Sequence, residues 1–521
     1  MVDATKTLGV GMNLGSYLTR SSSFWPDREA LVCGGRRWTY RELEARTNRL
    51  ASALLARGIR PGQAVATFAG NCAELVETEM ALGKGGFLRV PINTRLAAGE
   101  VGHVLANSSA RVLFADPASV EAAREIVDGA GLACEVVDYD GDYADLLAAG
   151  GEGPVAVEVA ESDPAVLNFT SGSTGSLKAA VQTTGNRLAN MRKRLMTPER
   201  RPEEAERYLA AGPITHATGM GLLAAFARGT SVVVQPRWDA GEFLRLVEAE
   251  RITSTFLVPT MLNQVLGHPD LSTADVSSMT CLRIGGAPVS PQRLREAVAA
   301  FGPVVMQGYG QVETTSGVTV LTAEDVVRGI AEDPELLSSC GRPVYDTEVR
   351  VVDDDGDPVS AGELGEVVVR GPDCVHQYWG EPELSAQTFR DGWVHTGDIG
   401  YLRADGYLFV VDRKKDMIIS GGFNVYCGEV EAALYEHPAV SEACVVGVPD
   451  ETWGEAVKAV VVTREAVSEA GLIEFCAAKL ARHKLPKTVD FAAGLPVNRN
   501  GKTDRRAVRD RYWTSSDRKV H

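Results

Sequence analysis

The sequence predicts an α/β protein: a large N-terminal domain of βα-layered sheets that carries a β-rich subdomain, followed by a small C-terminal α+β domain. Three observations predict it. Strand and helix signals alternate along most of the chain, most clearly from Thr230 onward. After Gly341 the texture changes to short apolar runs bounded by Asp, Gly and Pro, the mark of antiparallel strands. Finally, the dense charged junction Asp412-Arg413-Lys414-Lys415-Asp416 is followed by enough helix and strand signal for a separate unit. The 521 residues exceed what one core supports. The predicted division is therefore 1–411 and 412–521.

Taken in order, Thr39 with Glu42 reads as a capping box, Leu43, Leu50 and Leu54 share one helix face, and Gly58 ends the helix. Ala64 to Phe68 reads as a buried strand, Ala73 to Gly83 as a helix and Phe87 to Pro91 as a strand. Ala118 to Gly153 is expected to be surface connection with one helix, and Arg192 to Arg207 a solvated charged face or loop. Ala165 to Phe169 is a short apolar strand. Later come strands at Thr230 to Val234, Ser254 to Val258, Cys281 to Ile284 and Val304 to Met306, with helices at Ala240 to Arg251, Met261 to Leu266 and Pro291 to Ala300. Beyond the junction, Glu429 to Glu436 and Leu472 to Leu480 are helical, and Cys444 to Val448 and Lys458 to Val462 are strands.

Composition excludes some functions. A net charge of −16 argues against a nucleic-acid or anionic-membrane surface, which needs a basic face. The nine cysteines are scattered without zinc spacing, as in a reduced compartment. No run approaches a membrane span or signal peptide, so a cytoplasmic location is expected.

In open α/β sheets the ligand sits beyond the carboxyl ends of the strands. Three loops qualify: Thr170 to Lys178, Gly285-Gly286-Ala287-Pro288, and Gly308 to Thr314. The first, Thr170-Ser171-Gly172-Ser173-Thr174-Gly175-Ser176-Leu177-Lys178, offers hydroxyls, backbone N–H groups and one ammonium, a set suited to phosphate oxygens. The same composition also makes ordinary turns. Gly501-Lys502-Thr503 resembles the end of a Walker A loop, but Pro496 stands where that loop needs glycine.

Eight segments in order make the chain resemble the ANL superfamily of adenylate-forming enzymes, and within it the acyl- and aryl-CoA synthetase branch. They are Trp38-Thr39-Tyr40-Arg41-Glu42-Leu43, Leu82 to Leu96, Thr170 to Lys178, Pro213-Ile214-Thr215-His216, Tyr309-Gly310-Gln311-Val312-Glu313, Trp393-Val394-His395-Thr396-Gly397-Asp398, Asp412 to Val425, and Pro496 to Lys502. The resemblance implies that a carboxylic acid attacks the α-phosphate of ATP, giving acyl-adenylate and pyrophosphate, and that the thiol of coenzyme A then displaces AMP. It implies that Ser171, Ser173, Thr174 and Lys178, with Thr170, Gly172 and Gly175 in the same loop, hold the β- and γ-phosphates. Glu313 would bind Mg²⁺, Asp398 the ribose hydroxyls with Arg413 beside it, and Gly285, Gly286, Ala287, Gly308, Tyr309 and Gly310 the adenine. Lys502 would bridge the carboxylate and α-phosphate, and His216 would sit near the acyl pocket. Lys415 would be the hinge of a mobile C-terminal domain, and Gly421 and Gly422 would line the pantetheine tunnel. The implied partners are a small carboxylic acid or its adenylate and coenzyme A, with no nucleic acid and no membrane; a homodimer is left open.

Several positions depart from the family pattern. Leu177 and Ala179 flank the loop lysine where proline and glycine are usual, and Cys427 stands at a common proline, a change expected to affect only its loop. Val312 replaces a threonine whose hydroxyl usually donates to the α-phosphate. These changes raise two alternatives to a complete synthetase, an enzyme deficient in adenylation that thioesterifies a preformed adenylate and a nucleotide- or acyl-binding pseudoenzyme; a loader of a carrier protein's pantetheine arm is a separate alternative.

Overall fold

Two parallel-cored sheets share one apolar layer in the computed structural model, which describes residues 13–155, 157–171, 177–197, 206–498 and 502–513. The larger sheet has nine strands. Its parallel centre runs Val305–Tyr309, Cys281–Gly285, Ser254–Leu257, Arg207–Ala210, Ser231–Val234 and Glu29–Cys33, with antiparallel strands at both edges. The second sheet has six strands, in the order Glu135–Asp138, Val112–Ala115, Ala64–Phe68, Leu88–Pro91, Pro164–Ser171 and Leu177–Thr183, and only the last pair is antiparallel. Strand side chains alternate between faces. Leu31, Val232 and Val234 therefore meet Val65 and Phe114 in the layer between the sheets, while Val32 and Val233 point to the outer face of the nine-stranded sheet.

The helix Tyr40–Ala56 helps fill that shared layer. Its capping box is present, with Thr39 and Glu42 exchanging side-chain-to-backbone bonds, and Leu43, Leu50 and Leu54 are fully buried on the predicted face. A third, five-stranded sheet (Glu348–Val352, Gly365–Arg370, Trp393–Leu402, Phe389–Arg390, Leu408–Arg413) is wholly antiparallel, as the texture after Gly341 predicts. A fourth sheet lies between Ile418 and Phe491, and its core, around Val430, Val445, Val457 and Leu472, is its own.

Two expectations are corrected. Ala118 to Gly153 is not surface connection with one helix. It holds the helices Val120–Gly129 and Asp142–Ala149 and the strand Glu135–Asp138, and Val120, Ala123, Tyr143 and Leu146 are buried. The polar residues there form the outer faces of amphipathic elements. Nor is the start of the Arg192 to Arg207 stretch a solvated face. The helix Thr184–Met196 continues through it, and Lys193, 3% exposed, pairs with Asp373 at 2.5 Å. Residues 198–205 of that stretch lie outside the described residues. No described helix is long and apolar enough to cross a membrane.

Candidate active site

The parallel strands Cys281–Gly285 and Val305–Tyr309 end side by side, with Gly285 opposite Gly308, and open into two of the three expected loops. The loops depend on glycine at two points. Gly286 has φ +86°, and a Cβ at Gly310 would stand 1.5 Å from the Ser316 carbonyl oxygen. Ala287, which follows Gly286, is half-buried.

Asp398 is the electrostatic centre of one half of the site. It lies on Trp393–Leu402 directly opposite Arg413 in the antiparallel pair and is 3% exposed. Its carboxylate accepts from the Tyr309 hydroxyl and the Gln311 amide, both at 2.6 Å, and pairs with Arg413 Nε at 3.0 Å. Burial, then the Asp398 charge, pushes the Tyr309 phenol well above its ordinary range.

The other half centres on Lys178 and Glu313. Lys178 Nζ lies 3.4 Å from Glu313 Oε1, and the Tyr378 hydroxyl stands between them, 2.5 Å from Lys178 Nζ and donating to Glu313 at 2.8 Å. Tyr378 escapes sequence reasoning because it comes 200 residues after Lys178. Backbone bonds from Val181 to Gln377 and from Trp379 to Ala179 zip its segment onto the strand Leu177–Thr183. This also accounts for one departure: Ala179 is 2% exposed and packs in the outer core of the six-stranded sheet. Removing the hydroxyl (Tyr378→Phe) is expected to raise the KM for ATP about tenfold with little change in thermal stability, since a hydrogen bond to a charged group contributes about 1.5–3 kcal/mol. An ATP titration that leaves KM unchanged would refute this positioning role.

The strands on either side of the loop expected to hold phosphate pair antiparallel, and Thr170 faces Lys178. Gly172, Ser173, Thr174, Gly175 and Ser176, and the Ser171 side chain, lie outside the described residues. Thr170 Oγ is buried without a hydrogen-bond partner among the described residues, as suits a donor awaiting a ligand oxygen.

Lys502 reaches the site from the C-terminal part. Its ammonium arm lies over Gly286, whose Cβ position is 3.6 Å from Lys502 Cε and 3.9 Å from Nζ. Burial, then the charge of Arg413, lowers the affinity of Lys502 for its proton, against the pull of Asp398. The Asn498 side chain accepts from the Lys502 amide at 3.1 Å. Three residues on, Arg505 binds Asp412 at 3.2 Å, Asp416 at 3.5 Å and Glu431 at 2.8 Å, tying the Lys502 segment to the charged junction. Lys415, in the turn Lys414–Asp416, also loses proton affinity, mainly through burial. Cys427 does more than alter a loop. It is buried at the start of the helix Cys427–Tyr435, and its amide, which proline lacks, donates to Asp412.

Two further predicted groups sit in turns. His216 is held in its own turn, with Nδ1 2.8 Å from Thr215 Oγ and Nε2 3.4 Å from Asn93 Nδ2. Gly421 and Gly422 turn the hairpin between Ile418–Ser420 and Phe423–Val425, and Gly421 packs on Trp453, in the turn before the strand Gly454–Thr463. Val312 presents no hydroxyl and packs beside Ala180, Val375 and Tyr378. Thr314 does not replace the missing donor. It is 1% exposed, and its hydroxyl is engaged with the Gln311 and Ser316 carbonyls and the Gln311 amide.

Comparison with known proteins shows the family. The family model for AMP-binding enzymes matches residues 18–379, and that for the AMP-binding enzyme C-terminal domain matches 429–502. The chain is 40% identical to a feruloyl-CoA synthase of an Amycolatopsis species over 96% of this chain and 99% of that one. Among solved structures it resembles the amide bond synthetase McbA of Marinactinospora thermotolerans (TM-score 0.87, 31% identity, 96% and 100% of the two chains). It also resembles the O-succinylbenzoate coenzyme A synthetase of Bacillus subtilis in complex with ATP and magnesium ion (TM-score 0.82, 29% identity, 95% and 99%). The chain belongs to the AMP-binding enzyme family, and within the adenylate-forming superfamily to the branch of acyl- and aryl-CoA ligases, which are AMP-forming acid–thiol ligases.

Proposed function

We propose that this enzyme is an ATP- and Mg²⁺-dependent acyl- or aryl-CoA synthetase. The observation that carries the reading is the convergence of Lys502, from the C-terminal part, with Gly286 and with the Tyr309–Asp398–Arg413 cluster of the N-terminal part. The acid is ionised at neutral pH, since a free carboxylic acid has a pKa of about 4, so the first step needs no base. The obstacle is the approach of a carboxylate to a polyphosphate, two anions at close range. Lys502 would sit between them and offset the charge that develops at the α-phosphate, while Lys178 and the Thr170 hydroxyl hold the outer phosphates. Asp398 would accept the ribose hydroxyls on the side opposite its present donors, and the glycine loops would admit the adenine.

Glu313 suits Mg²⁺. It is one carboxylate, already positioned by Tyr378, and Mg²⁺ is commonly held by one or two carboxylates with phosphate oxygens and water. Among the described residues no group of three His, Cys, Asp or Glu could enclose a metal, so the substrate would complete the shell. When bound, the ion would neutralise phosphate charge. The proposed division is 1–411 and 412–521, with Lys415 at the hinge. Rotation there would withdraw Lys502 and bring Gly421 and Gly422 to the thiol's path, with His216 beside the acyl group.

The test is mass-spectrometric detection of acyl-CoA in two arms: ATP, Mg²⁺, CoA and a panel of aliphatic and aromatic acids, or CoA with synthetic acyl-adenylates and no ATP. Product is expected in both arms; product in neither, for every acid, would sink the reading. Val312 and the engaged Thr314 hydroxyl favour a second reading, an enzyme slow in adenylation, which would give product only from the adenylates. Val312→Thr is then expected to accelerate ATP-dependent AMP release by about tenfold or more, because one oriented donor at an oxyanion contributes on the order of 3 kcal/mol. An unchanged rate would show that the missing hydroxyl is not limiting.

A further inference from the structure

The junction between the two parts of the chain holds a buried carboxylate that the chemistry above does not use. Asp412 lies on the strand Leu408–Arg413, before Lys415, and is 7% exposed. Each of its oxygens takes a donor from beyond Lys415. Oδ1 accepts from Arg505 at 3.2 Å, and Oδ2 accepts from the Cys427 amide.

Cys427 is the first residue of the helix Cys427–Tyr435, and Tyr426 before it makes no capping bond with its own side chain. The Asp412 carboxylate fills that role from across the junction. An anion at a helix N-terminus satisfies a free N–H and suits the helix dipole. The contact is close: a Cβ at Gly428 would stand 2.2 Å from the Val411 carbonyl oxygen, so the first turn of the helix lies directly against the strand. The other bonds of these donors stay beyond Lys415. The Cys427 thiol donates to the Asp416 carbonyl at 3.2 Å, and Arg505 Nη2 binds both Glu431 oxygens at 2.8 Å. Arg505, Glu431, Asp416 and Cys427 therefore form one unit, and Asp412 is where that unit grips the strand. Arg505 comes three residues after Lys502, so a grip on Asp412 also fixes the segment that carries Lys502.

We propose that Arg505 and the Cys427 amide, by binding Asp412, are positioning residues that latch the C-terminal part in the arrangement that places Lys502 over Gly286. The consequence for catalysis rests on the ligase reading and on the hinge at Lys415. Rotation there carries Arg505 and Cys427 with the C-terminal part and leaves Asp412 on its strand, short of two partners. Opening a buried charged contact is costly, so the latch favours adenylation and restrains the thioester step. Proline at position 427 would have no amide to give to Asp412.

Three variants of the full chain test the latch. Cys427→Pro removes the amide donor. It should fold, because proline suits the first position of a helix and Tyr426 already has extended backbone (φ −89°, ψ 121°). Asp412→Asn, nearly isosteric, weakens the same contact by removing its charge and decides the matter if Cys427→Pro does not fold. Cys427→Ser keeps the amide and serves as the control.

Opening is read without turnover, as trypsin cleavage after Arg413, Lys414 and Lys415 mapped by mass spectrometry. Cleavage is expected to rise about fivefold in Cys427→Pro and Asp412→Asn and to stay at the wild-type rate in Cys427→Ser, since proteolysis follows the population of the open form. Pyrophosphate release from ATP and acid is expected to fall about threefold or more in the first two variants. Acyl-CoA formation from synthetic adenylate should be no slower than in wild type, because the restraint on rotation is lifted. A general structural defect would slow both. Unchanged cleavage in the folded variants, or Cys427→Ser cleaved as fast as Cys427→Pro, overturns the latch. Parallel loss in both half-reactions overturns its part in placing Lys502. Faster cleavage in the variants of a protein whose wild type makes neither pyrophosphate nor acyl-CoA from any acid or adenylate overturns the ligase reading and leaves the latch standing.

Discussion

Lys502→Ala is expected to reduce acyl-adenylate formation at least about a hundredfold while leaving thioester formation from supplied acyl-adenylate close to wild type. Removing one oriented charge stabiliser from a site where negative charge develops costs about 10²–10³ in rate. Lys502 has that position only in the arrangement seen here, over Gly286 and within the fields of Arg413 and Asp398. The thioester step presents no second anion to the α-phosphate, so it does not call on the same ammonium. Two assays check this: pyrophosphate release from ATP and acid, and acyl-CoA formation from synthetic adenylate. Equal loss in both would contradict the role given to Lys502. It would point instead to damage in the segment that Arg505 ties to Asp412 and Asp416.

Asp398→Ala should have the largest combined effect on stability and nucleotide binding. The substitution removes the acceptor of the Tyr309 hydroxyl and of one of the two Gln311 amide bonds, both at 2.6 Å to a carboxylate that is 3% exposed. Breaking a buried charged network by removing one partner costs about 3–5 kcal/mol. The lower end applies here, because the Arg413 side chain is 49% exposed and water can solvate it. The chain has more than one core, so the measurement is the first thermal transition rather than a single unfolding free energy. A lowered transition together with loss of ATP binding is the expected result. Loss of ATP binding at an unchanged transition would confine Asp398 to the ligand, and no change in either would remove it from the site.

Local chemistry made much of the scaffold legible. The Thr39–Glu42 box and the strand Ala64–Phe68 stand where spacing alone puts them, because a cap is satisfied within four residues and a buried strand reads as a continuous apolar run. The candidate site was half legible. Asp398, Arg413, Glu313, Lys178 and Lys502 can be named from their segments, but nothing local shows that Tyr378 joins Lys178 to Glu313, or that Arg505 braces the junction. Those bonds cross 65 to 200 positions of chain.

Charge misled most where tertiary contacts reverse its usual meaning. Lys193 sits in a run that looks solvated, yet it is 3% exposed and pairs with the distant Asp373. In the same way, Thr314 could serve as a donor until its hydroxyl is found committed to the turn it caps. The sequence by itself determined the α/β class, the order of most elements and the antiparallel texture after Gly341, since each follows from periodicity or turn chemistry. Only the tertiary structure decided which charges are paired, which donors are spent and where Lys502 lies, because those are properties of contacts between segments that the chain brings together only by folding.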